Sequence, residues 1–158
     1  MVVNSVGKKY AEVDRAYLAG FFDADGAIMA VIEMHQEKKF GFRVRVIIRI
    51  AQKNQGFLVD LQKGLGWGKL RINREVYELD IKDQDHVRSF IKLVLPYSKI
   101  KNNQLKIGLK ILDSSVNSKQ NLLEKARLAD TLSGFNVRSH GRRLNYTAKI
   151  ETYFSSND

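Results

Sequence analysis

The stretch FRVRVIIRIAQ, which ends at Gln52, alternates apolar and basic side chains. Successive side chains of a β-strand point to opposite faces, so this alternation predicts a strand with one apolar and one basic face. The apolar face is the expected core side and carries Val44, Val46, Ile48 and Ile50. The basic face carries Arg43, Arg45 and Arg49. Such a strand belongs in a sheet that is packed on one side and open on the other.

Periodicity along the rest of the chain predicts the order α-ββ-α-ββ, followed by further helices. Helices are expected at about residues 13–23, 54–65, 84–95, 102–112, 122–132 and 147–154, and Pro96 stops the third of them. A strand is expected at residues 27–35, and a second hairpin turns at Asn73–Arg74. We therefore predict an α+β fold in one domain of 158 residues. Its two hairpins form a four-stranded antiparallel sheet with helices on one face.

The second hairpin shows the same bias as the first. Its expected core side carries Leu70, Ile72 and Leu79, and its open side carries Lys69, Arg71 and Asn73. Charges on exposed strands also discourage edge-to-edge pairing, which is one explanation. The chain has 27 Lys and Arg against 17 Asp and Glu, a formal charge of +10, and such an excess favours a nucleic-acid partner. Because arginine binds both phosphate and guanine, we expect a sheet that reads double-stranded DNA.

The composition excludes several classes of site. There is no cysteine, so disulfides and thiolate metal sites are ruled out. No apolar run approaches the roughly 20 residues that span a membrane, and the first residues lack the apolar stretch of a signal peptide. The three histidines, His35, His86 and His140, are too scattered to suggest a zinc site. We expect an intracellular protein.

The stretch YLAGFFDADGAI predicts a helix that ends in two carboxylates, Asp23 and Asp25. The C-terminus of a helix carries partial negative charge, so the helix dipole disfavours acids there. Three explanations are considered. Asp-Gly is a strong turn signal, the acids could begin a calcium loop, or they could bind a hard divalent cation through oxygen. An EF-hand loop needs glycine and glutamate where this chain has Ile28 and Met34, so the calcium loop is excluded.

YLAGFFDADG resembles the LAGLIDADG motif of the homing endonucleases, and DADG matches its acidic end. The predicted element order agrees with that family's fold, and the resemblance extends over roughly residues 17–153. One motif per chain resembles the smaller members, which act as homodimers. Small residues recur at every fourth position of this helix, Ala16, Gly20 and Ala24, and such spacing lets two helices approach closely. The resemblance implies a dimer interface through Ala16 and Gly20.

The resemblance also implies the site residues. Asp25 would be the essential acid and a ligand of Mg²⁺ or another divalent cation such as Mn²⁺. The backbone carbonyl of Ala24 would be a further ligand, and the first acid of DADG would be structural. In AQKNQ, Gln52 would orient water; in PYSKIKNNQ, Lys101 would polarise water or stabilise phosphate charge. Without the resemblance, Gln52 is better explained as a cap at a strand end and Lys101 as a solvated charge.

Further DNA contacts follow from the same resemblance. Relatives often carry an arginine shortly after the glutamine stretch, whereas this chain has Gly56 and Phe57, so Lys53 is the candidate substitute. The stretch VRSHGRR falls where relatives have a basic loop on the DNA backbone. A plain basic loop would have the same composition, but phosphate contacts are expected from Arg138, Arg142 and Arg143.

The function implied is a homodimeric, metal-dependent endonuclease that cuts both DNA strands across the minor groove. It would leave 3′ overhangs and promote intron homing. Its target would span roughly 20 base pairs, because ten strand residues extend about as far as ten base pairs. Two alternatives stay open: an intron RNA maturase, and a LAGLIDADG DNA-binding regulator that no longer cuts. The presence of Asp25, Gln52 and Lys101 argues against a site without activity.

Overall fold

The computed structural model describes residues 10–136 and 145–158. The elements in chain order are α1 Glu12–Asp25, β1 Gly26–Met34, β2 Phe42–Gln52, α2 Gln55–Leu65, β3 Lys69–Asn73, β4 Val76–Ile81, α3 Gln84–Val94, α4 Asn102–Asp113, α5 Lys119–Phe135 and α6 Tyr146–Asn157. This order confirms the predicted α+β architecture, with boundaries that differ by at most three residues. Within the described ranges, no helix is long and apolar enough to cross a membrane.

The strands form one antiparallel sheet in the order β1-β2-β4-β3. β2 is central, and its residue Ile48 pairs with Ile28 on one side and Ile81 on the other. β4 begins pairing with β2 only at Ile48. Beyond that point Gln84 covers the open edge of β2, since its amide accepts from the Val46 N–H at 2.8 Å and donates to the Val46 carbonyl at 2.9 Å. The rest of the β1–β2 hairpin therefore projects as a two-stranded ribbon.

The helices cover one face of the sheet and form the core with it. Val46, Ile48 and Ile50 are fully buried, as the alternation predicted, and the aromatic rings of Phe22 and Phe90 pack in the same cluster with centroids 5.3 Å apart. Leu70 is half-buried and Leu79 fully buried, but the core assignment of Ile72 is wrong, because 65% of that residue is exposed. β3 is an edge strand, and Ile72 lies beside the hairpin turn, where the core is no longer deep enough to enclose it.

The junction between α1 and β1 contains no turn. Gly26 has φ −90° and ψ 161°, an extended conformation, so α1 continues directly into β1 and the turn explanation for DADG is wrong. The glycine is required for a different reason. A Cβ at this position would lie 2.0 Å from a ring carbon of Phe22, far inside van der Waals contact. The first residue of β1 thus packs directly against the ring of Phe22, which α1 buries in the core.

Candidate active site

The first acid of the motif, Asp23, is buried and fully hydrogen-bonded. Its carboxylate accepts from the Ser98 hydroxyl at 2.5 Å and from the backbone N–H groups of Lys99 at 2.8 Å, Ile100 at 3.0 Å and Lys101 at 3.1 Å. Burial alone would raise the pKa of Asp23, but the hydrogen bonds from Ser98, Ile100, Lys99 and Lys101 outweigh burial and lower the pKa. Asp23 therefore joins the end of α1 to the segment that precedes α4.

Lys101 offsets the negative end of the α1 dipole. Its ammonium group donates to the carbonyl of Phe22 at 3.2 Å and to that of Asp23 at 2.5 Å. Both carbonyls lie in the last turn of the helix, where a cation is favoured; the Phe22 carbonyl also accepts from the Gly26 N–H. Lys101 and the donors to Asp23 thus account for an acid at this helix end without any bound metal. Lys99, the other lysine of the pattern, has an exposed position.

The second acid, Asp25, is the last residue of α1 and is exposed. Gln52, the last residue of β2, donates from its amide nitrogen to the Asp25 carboxylate at 3.0 Å. The amide oxygen of Gln52 accepts from the backbone N–H of Lys53 at 2.8 Å and of Asn54 at 3.4 Å. These two backbone bonds orient the amide so that its NH₂ group faces Asp25. The structure thus brings together two of the residues that the sequence singled out.

A cleft of about 240 Å³ opens beside Asp25. Asp25 and Lys101 both line it, so the third predicted residue lies at the same place. Arg49, which the sequence analysis predicted as a DNA contact, also lines the cleft, whereas the sequence analysis missed two further polar side chains of the wall, Gln104 and Asn136. Gln104 stands in the PYSKIKNNQ stretch three residues after Lys101, and helical spacing places such residues on one face. The spacing therefore predicts that Gln104 lies near Lys101. The position of Asn136 cannot be predicted in this way, because it depends on the long-range packing of α5.

The open face of the sheet is basic, as predicted, but its arginines are paired with acids. Arg43 donates to Glu33 on β1 with its Nε at 2.8 Å, and Arg45 lies 3.0 Å from the same carboxylate. The hydrogen bond from Arg43 holds the pKa of Glu33 below its usual value. Lys53, the candidate substitute in the basic shell, is exposed just after β2.

Two further acids, Glu78 and Asp80, lie on β4, between β2 and β3. Arg49 forms a two-pronged contact with Asp80, with distances of 2.6 Å and 3.1 Å. Arg71 lies 2.8 Å from Glu78 and 3.3 Å from Asp80, and both acids are buried under the arginines. Burial would raise the pKa of Asp80, but Arg49 first, and then Arg71 and Lys82, lower it. Glu78 and Asp80 are two residues apart in VYELDI, so strand periodicity predicts that both side chains lie on this face.

Comparison with known proteins identifies the family. The family model for LAGLIDADG endonucleases matches residues 18–110. The chain belongs to the LAGLIDADG endonuclease family. It is 34% identical over 120 residues to DNA endonuclease I-CvuI of Chlorella vulgaris, covering 73% of this chain and 74% of that protein. It is 29% identical over 133 residues to DNA endonuclease I-CreI of Chlamydomonas reinhardtii, covering 81% and 82%.

Solved LAGLIDADG structures share the fold. A crystal structure of I-CvuI in complex with the I-CreI target, in the presence of 2 mM Mg, matches with a TM-score of 0.80 at 28% identity, covering 92% of this chain and 94% of that chain. The archaeal intron-encoded homing endonuclease I-Vdi141I, complexed with DNA, matches with a TM-score of 0.75 at 18% identity, covering 91% and 98%. The first match agrees with the sequence relationship, and the second shows the fold alone.

In the part of the chain that the structure describes, one face of the LAGLIDADG helix, α1, is largely exposed. Val13 and Tyr17 are 79% and 63% exposed, and the small residues of the same face are exposed as well: Ala16, Gly20 and Ala24. At the edge of this face Phe57 packs on Phe21 with ring centroids 4.2 Å apart. Phe57 stands beside the place where the sequence analysis expected an arginine, and it joins an aromatic cluster there.

The remaining predicted residues divide into two groups. Lys69, Arg71 and Asn73 lie on β3 and are exposed. Residues of the predicted basic loop, Arg138, Arg142 and Arg143, lie outside the described residues.

Proposed function

We propose that this LAGLIDADG protein is a site-specific, divalent-cation-dependent endonuclease that cuts double-stranded DNA as a homodimer and promotes intron homing. One observation carries the proposal. The motif helix ends in an exposed carboxylate, Asp25, which Gln52 contacts at 3.0 Å beside a cleft that Lys101 also lines. A DNA-binding protein that had lost cleavage would have no need to keep these three groups together.

The donor chemistry at the end of α1 fits a hard divalent cation such as Mg²⁺ or Mn²⁺. Asp25 offers an exposed carboxylate, and Ala24 offers a carbonyl from the last helical turn, where oxygens are free to accept. Among residues 10–136 and 145–158, no group of three or more Asp, Glu, His or Cys side chains could hold a metal. The described part of one subunit therefore supplies too few such side chains for a closed site. A bound cation would activate water and neutralise charge at the phosphodiester.

Dimerisation would supply the second carboxylate. The exposed face of α1 combines two large apolar side chains, Val13 and Tyr17, with a row of small residues around Gly20. Burying such a face removes apolar surface from water, and the small residues permit a close approach of two helices. Because Asp25 ends the same helix, two copies packed through α1 would bring their Asp25 residues near each other.

The chain's own groups prepare the site for hydrolysis. Gln52 holds the Asp25 carboxylate through an amide whose orientation the backbone determines. Lys101 keeps a positive charge at the cleft, since its ammonium is bound to two helix carbonyls. That charge would stabilise the negative charge that develops on the phosphate during attack by water. These groups are in place before DNA arrives, so little rearrangement is needed.

The open face of the sheet supports DNA as the substrate. β2 has 11 residues and extends about 36 Å at roughly 3.3 Å per residue. That length corresponds to about eleven base pairs at roughly 3.4 Å each, so a dimer would cover about twenty-two, close to the roughly 20 base pairs expected from the sequence. The arginines on this face are held by Glu33, Glu78 and Asp80, which orients their remaining donors toward the groove.

The test uses a plasmid that carries the intron-free allele of the host gene. With Mg²⁺, the parent protein should linearise this plasmid. Asp25→Asn should abolish cleavage and leave sequence-specific binding intact, because binding comes mainly from the sheet and from phosphate contacts. Asp85→Asn is the control, since Asp85 is an exposed acid of α3 away from the cleft. Cleavage by Asp25→Asn at a rate near that of the parent would refute the assignment.

A further inference from the structure

Gln104 is an enclosed polar residue to which no role has been assigned. It lies in the first turn of α4 and is 8% exposed. No hydrogen bond joins its side-chain amide to another of the described residues. Among the described residues, the fully buried side-chain atoms that lack a partner belong to His35, Arg45 and Trp67. The Gln104 amide is therefore not sealed in the core but opens onto the cleft that the residue lines. An amide held at a cleft wall without a protein partner keeps its hydrogen-bonding groups available to a ligand.

The cleft beside Asp25 is where that partner would lie. Every other polar side chain named in its wall already has a protein partner. Asp25 is bound by Gln52, Lys101 by two carbonyls and Arg49 by Asp80, and Asn136 donates to the carbonyl of Ile28 at 2.6 Å. Among the described residues of the wall, Gln104 thus has the polar side chain whose bonding capacity is unused.

The surroundings hold Gln104 in place although its amide is unbonded. The next residue, Leu105, is fully buried, and its N–H donates to the Lys101 carbonyl at 3.0 Å. Gly108, one turn further on, lies so close to Ile28 that a Cβ there would be 2.4 Å from the Ile28 side chain. The start of α4 is also held through the Asp23 bonds. The amide is therefore pre-positioned by the helix rather than by its own contacts.

We propose that Gln104 binds the substrate phosphate, donating an amide N–H to a non-bridging oxygen in the cleft beside Asp25. This inference rests on the proposed endonuclease function. In the reaction a water oxygen forms the new bond to phosphorus, the bond to the leaving sugar oxygen breaks, and that oxygen takes a proton. Gln104 gains and loses no proton. It adds a neutral donor to a wall whose other donors, Lys101 and Arg49, are cationic, and so fixes the phosphate without further charge repulsion in the wall.

The first test compares Gln104→Leu with the parent and with Gln120→Leu, a control at an exposed glutamine of α5. Single-turnover cleavage of the target plasmid should fall at least tenfold in Gln104→Leu and stay within twofold in the control. Target affinity without divalent cation should change less than threefold. The unfolding midpoint should be unchanged or higher, because leucine replaces an amide that has no partner. A structural glutamine would instead lower the midpoint.

The second test uses Gln104→Glu, which keeps the shape of the side chain. An ionised carboxylate cannot donate and repels phosphate, whereas a protonated carboxyl group can donate. Cleavage by Gln104→Glu relative to the parent should therefore recover at least fivefold as the pH is lowered from 8 to 6. This recovery separates a role at the phosphate from a role in packing, and it needs only one folded variant.

The outcomes distinguish the two proposals. A parent protein that cleaves no target would refute the endonuclease function itself. A parent that cleaves, together with Gln104→Leu at a rate within twofold of the parent, would refute the role of Gln104 alone. A lower unfolding midpoint with a proportional loss of bound DNA, and no recovery of Gln104→Glu at low pH, would also overturn it.

Discussion

Asp23→Asn removes the charge from the carboxylate that joins α1 to the start of α4. One oxygen of Asp23 accepts from the N–H groups of Lys99 and Ile100, and the other accepts from the Ser98 hydroxyl and the Lys101 N–H. An asparagine NH₂ would face two backbone donors on the first side. On the second side it would face a hydroxyl, which can rotate to accept. We therefore expect the NH₂ group on the second side, with the Lys101 N–H left unpaired.

The cost follows from this arrangement. Leaving one buried donor unpaired costs about 1–3 kcal/mol, and the remaining hydrogen bonds lose the assistance of a charge. Together these effects predict a loss of about 2–4 kcal/mol in the free energy of unfolding at pH 7. Because the same segment carries Lys101, the cleavage rate should fall as well. Asp85→Asn, at an exposed acid, should change the free energy of unfolding by less than about 0.5 kcal/mol.

The pH dependence gives a second readout. The hydrogen bonds of Asp23 lower its pKa in the folded protein, so its stabilisation is present above the unfolded-state value of about 3.9 and is lost as the pH falls through the lower folded value. The difference in stability between parent and Asp23→Asn should thus be largest near neutral pH. It should narrow as the pH falls below about 4, since asparagine does not titrate.

Urea unfolding followed by the fluorescence of the single tryptophan, Trp67, measures both quantities. Protein concentration must be equal in all samples, because dimer formation would make stability depend on it. The reasoning fails if Asp23→Asn matches the parent within about 0.5 kcal/mol at pH 7, or if their difference stays constant down to acid pH.

Three further predictions concern the dimer, the helix–strand junction and DNA reading. Gly20→Leu should give a folded monomer near 18.1 kDa in sedimentation, because no atom of the described residues lies within 4 Å of a Cβ at this position. A stable dimer would contradict the interface. Gly26→Ala should lower the unfolding free energy by about 1–3 kcal/mol, since its Cβ would overlap Phe22, and an unchanged melting temperature would contradict this. Arg49→Ala should relax base preference at one position by about 1–3 kcal/mol in a cleavage profile of single-base target variants. An unchanged preference profile for Arg49→Ala would exclude a base contact by Arg49. Lys53→Ala should instead weaken binding to all target variants alike and reduce the salt dependence of binding.

The sequence alone was sufficient for the element order, the buried face of β2 and the family. Each depends on local patterns, namely a period of two along a strand, the spacing of apolar residues along a helix and a motif of contiguous residues. Val46, Ile48 and Ile50 are buried because their neighbours in sequence alternate with them. YLAGFFDADG needs no distant residue to be recognised. Local patterns of this kind can be recognised without knowledge of the tertiary contacts.

The tertiary structure decided what each polar group contacts. The two acids of one motif differ because the segment before α4, some 75 residues later in the chain, reaches Asp23 and leaves Asp25 exposed. The pairing of Arg49 with Asp80 depends on the register between β2 and β4, and the exposure of Ile72 on the position of β3 at the sheet edge. Enclosure and partner choice arise from elements far apart in sequence, so a local period cannot encode them. For the same reason Gln104 is an ordinary polar residue in the sequence and becomes an unbonded amide in a cleft only once the helix is packed.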